Sequence, residues 1–322
     1  MARGLHGQGF MGIAFEPTYG TYVAPSEYFP IRSESLQYMQ DTYFRRVIRG
    51  IVDIVPPAIQ GYSHVEGEIE MDLMENVLPY FLRVGRWDVV ESGSTPNFIY
   101  TCTPTHIAGN DGLPSTSEGL SITIVRAGVT FGYVGCLLGG LEISVDNGIP
   151  IMRFIIVGSD ETTQSLPTAT FQTGVGDTPF GAGQYDIQVP TASQVFDVEN
   201  FVFTANDNAE PQYRLNDSTR ARFVKFGERE MSMEFTRDFD GRTEYDTFKA
   251  LTATSITIEC SKGVNNGVAI TLPTAVRETY ELDGLSEQGE LHMATVRFNG
   301  IYDTATSRAA QIVINCQEDL PV

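Results

Sequence analysis

Apolar and charged positions alternate strictly over residues 64–73 (HVEGEIEMDL). Val65, Gly67, Ile69, Met71 and Leu73 share one parity, and Glu66, Glu68, Glu70 and Asp72 the other. A period of two predicts a strand with one buried and one wet face. Four like charges on one face repel, so that face should look onto an aqueous space. The pattern returns over residues 227–235 (GEREMSMEF), where Met231, Met233 and Phe235 oppose Glu228, Glu230, Ser232 and Glu234. A chain that writes such a strand twice is expected to be built twice.

Before the first of these strands, residues 1–27 form a Gly/Pro/Tyr-rich arm with no helical period. Such an arm cannot hold a core and must lie on something or stay mobile. An extended segment follows at 29–39, then a loop with Pro56 and Pro57. A short helix is predicted over 75–84, with Val77, Leu78, Phe81 and Leu82 on one side and Pro79 tolerated only in the first turn. Strands are predicted at 97–107, 120–126 and 149–157, with a hairpin region at 128–146 that turns at Asp146-Asn147-Gly148. Residues 159–194 lack Lys and Arg and are rich in Thr, Gly, Pro and Gln, the composition of a linker laid over a surface.

The order then restarts. Residues 196–206 stand where 29–39 stood, 167 residues on, and the Glu/Met strand recurs after about 162. A second short helix is predicted at 244–251 from Tyr245, Phe248 and Leu251. Ser255-Ile256-Thr257-Ile258 repeats Ser121-Ile122-Thr123-Ile124, 134 residues on, and 295–299 with Asp303 echoes 152–157 with Asp160, 143 on. Five echoes in one order predict a duplicated domain. The fold class is therefore α+β, predominantly antiparallel β, as two tandem sandwich- or barrel-like units each with one short helix. The division reads as an arm at 1–27, a first domain at 28–160, an extended linker at 161–194 and a second domain at 195–322.

Charge narrows the possible roles. Of 322 residues, 41 are Asp or Glu and 21 Lys or Arg, a net charge of −20. Gripping nucleic acid needs clustered cations, which this chain lacks, although it could surround DNA without holding it. The four cysteines form no CxxC, and no N-terminal signal-like run is present. The longest uncharged apolar run, 127–141, is 15 residues with five glycines, too short to span a bilayer. A reduced, cytosolic, soluble product is expected.

No constellation points to catalysis. Neighbouring wet-face carboxylates at i, i+2 sit about 7 Å apart, within the spacing of an inverting glycosidase pair. A flat row of similar carboxylates nevertheless offers nothing to split their pKa values, and a solvated acidic face accounts for it. His6, His64, His106 and His292 have no zinc spacing, and GxSxG is absent. Gly7 to Gly12 matches GxGxxG without the strand that must precede it. Residues 206–210 (NDNAE) lack the order of a calcium loop and read as a turn, and Asn216-Asp217-Ser218 is a sequon without a secretion signal. Arg45, Arg46 and Arg49, the densest basic cluster, suit salt bridges to an acidic neighbouring subunit. No catalytic, cofactor or metal residue is assigned. Sheets with unpaired edges need pairing across a subunit boundary, and closure into a large ring removes those edges.

The run Gly12-Ile13-Ala14-Phe15-Glu16-Pro17-Thr18-Tyr19-Gly20-Thr21-Tyr22-Val23, then Pro25 and Phe29-Pro30-Ile31-Arg32-Ser33-Glu34-Ser35, resembles the start of tail tube (major tail) proteins of long, non-contractile-tailed phages. Gly67-Glu68-Ile69-Glu70 followed by a short helix resembles the same family's tube domain. The resemblance covers residues 12–84, and the second half only by order of elements. It implies sandwich-like units whose inner sheets join around a lumen, with a duplicated chain forming trimeric, pseudo-six-fold rings that stack. It also implies tape-measure, tail terminator and baseplate or distal tail proteins as partners, double-stranded DNA passing without specific binding, no cofactor, and a place in the virion tail after assembly in the host cytoplasm. On this reading Glu66, Glu68, Glu70, Asp72, Glu228, Glu230 and Glu234 are candidate lumen-facing acids, and the arm and linker are candidates for ring-to-ring contact. The alternative is a β-rich virion decoration or carbohydrate-binding module, which an exposed cluster of Trp and Tyr around the single Trp87 would favour.

Overall fold

The computed structural model describes residues 9–44, 58–105, 119–171, 178–181, 183–190, 192–195, 197–215, 219–239, 241–263, 265–283 and 292–320. His6, Arg45, Arg46, Arg49, His106 and the Asn216-Asp217-Ser218 sequon lie outside the described residues. The first half contains β1 (Phe10–Glu16), β2 (Glu27–Phe29), β3 (Ser33–Glu34), β4 (Gln37–Phe44), β5 (Ala58–Asp72), α1 (Leu78–Arg83), β6 (Trp87–Ser94), β7 (Asn97–Pro104), β8 (Gly119–Arg126), β9 (Val129–Asp146), β10 (Ile149–Gly158) and β11 (Asp160–Thr163). Then follow β12 (Tyr185–Gln188), β13 (Val198–Asn206), β14 (Glu210–Gln212), β15 (Phe223–Lys225), β16 (Glu230–Asp238), α2 (Arg242–Lys249), β17 (Thr254–Ser261), β18 (Gly267–Leu282), β19 (Met293–Gly300) and β20 (Gln311–Cys316). The fold is α+β and predominantly antiparallel β, as the alternating patterns require.

Pairing follows one scheme in both halves. In the first, β3 and β4 pair with β5, β5 with β10, and β10 with the C-terminal part of β9. The N-terminal part of β9 lies between β8 and β11. In the second, β13 pairs with β16, β16 with β19, and β19 with the C-terminal part of β18. The N-terminal part of β18 lies between β17 and β20. Both copies of Ser-Ile-Thr-Ile occupy the same place in this scheme, with Ile122 opposite Tyr133 and Ile256 opposite Leu272. The long strand bulges at matching points, Gly139 and Glu278.

Aligned on these bulges, Glu68 corresponds to Glu234, and Glu230 to His64. The Glu/Met strand therefore recurs four residues out of step with the echo read from the sequence. Period-two alternation matches itself at every even shift, so pattern alone cannot fix the register. For β19 the pairing sets buried Phe154 against buried Val296, one residue from the echo. A one-residue slip would exchange core and wet faces.

The halves are joined as sheets. Residues 140–144 of β9 pair with 202–206 of β13, giving one continuous inner sheet in the order β4, β5, β10, β9, β13, β16, β19, β18. The β6–β7 hairpin follows α1 and pairs through β7 with β20 of the second half. The β9–β10 turn at Asn147 and Gly148 has positive φ at both residues (52° and 79°), the two-residue geometry whose twist matches the strands. Helix α1 carries Pro79 in its first turn and buries Leu78–Leu82 side chains, with Phe81 stacked on Phe154 at 3.9 Å. Helix α2 buries no residue completely and rests Tyr245 and Phe248 on Tyr280.

Two segments read as arm and linker carry strands. β1 pairs with β8 from Phe10–Val125 to Glu16–Gly119, and Met11 and Ile13 are fully buried. Glu16, also buried, accepts from Ser121 Oγ (2.8 Å) and from the Gly20 and Gly135 amides (2.7 and 2.9 Å). A truncation through residue 20 would therefore remove a core strand, and an N-terminal deletion meant to test stacking must stop before Phe10. Within 161–194, β12 pairs on the outer edge of β17.

Candidate functional site

The inner sheet has an apolar face on the core and a wet face. On β5, Val65, Ile69 and Met71 are fully buried, while Glu66, Glu68, Glu70 and Asp72 project to the other side. Cross-strand partners extend this wet face. Glu70 lies opposite Arg153, Arg153 opposite Glu142, Glu142 opposite Thr204, and Thr204 opposite Ser232. A neighbouring row runs through Val202, Glu234 and Arg297. Of the acids anticipated from the sequence, Glu66, Glu68, Glu70, Asp72, Glu230 and Glu234 lie on this face, and Glu228 sits in the loop before β16.

Two arginines on this face were not anticipated. The Arg153 guanidinium lies 3.3 Å from Glu70, 3.6 Å from Glu142 and 3.8 Å from Glu68. Partial burial works against its charge, but Glu142 and Glu70 outweigh it and hold its pKa above the ordinary arginine value. Arg297 lies 3.3 Å from Glu278. Arg153 is the single charge in IPIMRFIIV, and that isolation was its sequence signal. Arg32 reaches the same face, 2.6 Å from Asp72, and carboxylates still outnumber these arginines, so the face stays acidic. The face is hollowed in two places. A depression of about 510 Å³ is lined by Thr204, Glu230, Ser232, Glu278 and Arg297, and one of about 280 Å³ by Ser33, Glu68, Glu70 and Arg153.

Gly67 sets the edge of this face. Its φ is +152°, and a Cβ there would come within 2.6–2.7 Å of Ser35 O and of Leu36 N and Cα. Backbone cannot yield as a side-chain tip does, so Gly67→Ala is expected to push β3 and β4 off β5. The expected loss is about 1–3 kcal/mol of stability, measured by urea denaturation.

Buried charges fasten the two halves together. Arg229 Nε lies 2.5 Å from Asp207 Oδ1, and its Nη2 donates to Arg86 O at 2.6 Å. Lys262 Nζ lies 2.9 Å from fully buried Glu75, donates to Thr178 O and stands 4.5 Å over the Phe180 ring. Burial raises the Glu75 pKa above the ordinary carboxylate value, with Lys262 opposing. Beside the wet face, His64 bridges Tyr213 Oη (2.9 Å at Nδ1) and Glu66 (3.2 Å at Nε2).

Among the described residues, no exposed aromatic cluster forms around Trp87, and no cysteine is reactive. Trp87 is buried at 1% exposure. All four cysteines are free and buried, and burial pushes the Cys316 thiol up to about 11 and that of Cys260 to about 12, away from the range of a working nucleophile. Among the described residues no helix is long and apolar enough to cross a membrane.

Comparison with curated proteins finds no match. A family model described as phage tail tube protein matches residues 8–310, nearly the whole chain, and its span includes both halves of the inner sheet and every acid on the wet face. A β-rich chain whose organised polar surface is a sheet face fits a structural component of the virion tail, and the chain belongs to the phage tail tube protein family.

Proposed function

We propose that this tail tube protein carries two tube units in one chain and closes into trimeric, pseudo-six-fold rings. These rings stack into the tube of a siphophage tail, with the wet face of the inner sheet lining the lumen. The observation that carries the reading is the inner sheet itself. It runs unbroken from β4 to β18 across the junction of the halves, with an edge at each end that no described strand pairs. Two unpaired edges on one sheet favour head-to-tail closure. The recurring pairing scheme supports the duplication, and the β9–β13 junction supports head-to-tail addition of one unit to the next.

On this reading the acidic wall keeps DNA sliding. Phosphates are repelled across a water-filled pore, and among the described residues no cation cluster on the face offers a grip. Arg153 and Arg297, tied to carboxylates, hold the wall's side chains in place. Assembly takes place in the host cytoplasm, and the stack ends on terminator and distal tail proteins around a tape measure. The far end of the β4–β5 hairpin exposes Tyr43, Phe44 and Ile59 (54–60%), an apolar patch that stacking would cover.

Two measurements test this. Negative-stain electron microscopy over a concentration series should give rings or hollow tubes with three-fold or pseudo-six-fold end views. Virions carrying Glu68→Lys, Glu70→Lys and Glu230→Lys should assemble tails yet lose infectivity through impaired DNA passage. Undiminished infectivity would remove these residues from the lumen wall.

A further inference from the structure

The internal junction supplies a template for the contact between copies. At that junction, residues 202–206 of β13 lie against residues 140–144 of β9, with Phe203 opposite Ile143 and Ala205 opposite Leu141. The bulge alignment carries positions 140–144 of β9 onto 279–283, and the pairing of β13 with β16 carries 202–206 onto 35–39. Among the described residues, nothing pairs with 276–282 on the side away from β19, nor with β3 or β4 on the side away from β5.

We propose that this β18 edge takes the β4 edge of a second copy in the register of the internal junction, with Gln37 opposite Glu281, Tyr38 opposite Tyr280 and Met39 opposite Thr279. The proposal rests on the ring reading above and deepens it by naming the residues that meet. Side-chain chemistry fits this register. Gln37 and Ser35 bring donors to the carboxylates of Glu281 and Asp283 on the wet side. On the core side Tyr38 meets Tyr280, and Leu282 comes up against Leu36. Backbone pairing begins at Gln37, because the Leu36 carbonyl already accepts from Arg126 and from Tyr133 Oη (2.9 Å).

Two further features sit at this edge, one of them an arginine that within the chain stands 5.0 Å over the Phe298 ring. Leu282 is 45% exposed, although its counterpart Ile143 is fully buried under β13. Arg277, at the start of the edge, is 6% exposed, yet among the described residues its Nε and Nη1 have no acceptor. A buried guanidinium with idle donors is costly, and a second copy on the edge would bring carbonyl oxygens to it. Both features mark the β18 edge as a surface completed by a neighbour.

The test is cysteine cross-linking in the assembled full-length protein, with ring formation followed by electron microscopy on the same samples. Gln37→Cys combined with Glu281→Cys should give inter-chain disulfides under mild oxidation at least about tenfold faster than Gln37→Cys with Thr279→Cys. Directly opposed residues fall within disulfide reach, whereas diagonal ones two residues off do not. The native thiols are buried and do not compete. Rings with no 37–281 bond, or with faster bonding in the slipped pair, would overturn this register and leave the ring reading standing. Absence of rings at every concentration would overturn both. Independently, Leu282→Arg should abolish rings while leaving the melting temperature of the free chain unchanged, and rings that persist in this variant would also overturn the proposal.

Discussion

Replacing Arg229 by Met is expected to cost about 3–5 kcal/mol of unfolding free energy, the range for removing one partner of a buried ion pair. The side chains of Arg229 and Asp207 are only 9% and 4% exposed. Arg229 also donates to Arg86 O and Thr105 O and stands 6.0 Å over the Trp87 ring. Met fills much of the same space but leaves the Asp207 carboxylate in the core, with Arg86 the remaining cation at 3.7 Å. Most of the loss is the desolvation of that stranded charge, so adding Asp207→Asn should recover part of it. Trp87 is the single tryptophan, which makes its fluorescence during urea unfolding a local reporter. A loss below about 1 kcal/mol, the range of exposed pairs, would mean that solvent reaches the site.

Lys262→Met is expected to have an effect of similar size that depends on pH. Lys262 is 6% exposed in its side chain and Glu75 is 0%. With its amide nitrogen turned to Glu75, Asn266 donates to Oε1 at 3.2 Å, which leaves the lysine as the carboxylate's ionic partner at 2.9 Å. Burial already raises the folded-state pKa of Glu75, and loss of the lysine raises it further. A raised acid binds its proton more tightly in the folded state. Its contribution is therefore fully present below the unfolded pKa and is lost as pH rises through the folded one. The variant should be about 3–5 kcal/mol less stable than the parent near neutral pH, and the gap should narrow as pH falls towards the ordinary glutamate range. Paired thermal melts across that range decide it. A gap independent of pH would assign the loss to packing against Phe180 instead.

Much of this architecture could be read from residue order, because alternation is local. The wet and buried faces of β5 and β16, both helices to within a few residues, and the Asn147-Gly148 turn each follow from a handful of neighbours. Even Arg229 carries a signal that went unread, since it shares the parity of Met231, Met233 and Phe235. What the order of residues does not encode is which strand lies beside which. The four-residue offset between β5 and β16 was invisible because a period of two is blind to even shifts. Arg153 meets Glu70 and Glu142 only because β10 lies between β5 and β9. The strands inside the Thr- and Gly-rich segment 159–194 were missed for a related reason. β11 and β12 are short edge additions, held by their neighbours' backbones rather than by an apolar pattern of their own.

The pairing of β7 with β20 has a consequence for the order of events on the ribosome. Tyr100 on β7 donates to Glu318 O across 218 residues at 3.1 Å, and its oxygen accepts from the Leu320 amide at 2.8 Å. A nascent chain that has not reached β20 leaves β7 with β6 as its sole strand partner and cannot complete the outer sheet over α1. Contacts so distant in sequence close late. The first half therefore leaves the outer edge of β7 unpaired until the second half is made, even though its pairing scheme mirrors that of the second. Chains released before β20 is made are expected to present that open β7 edge to solvent and to one another.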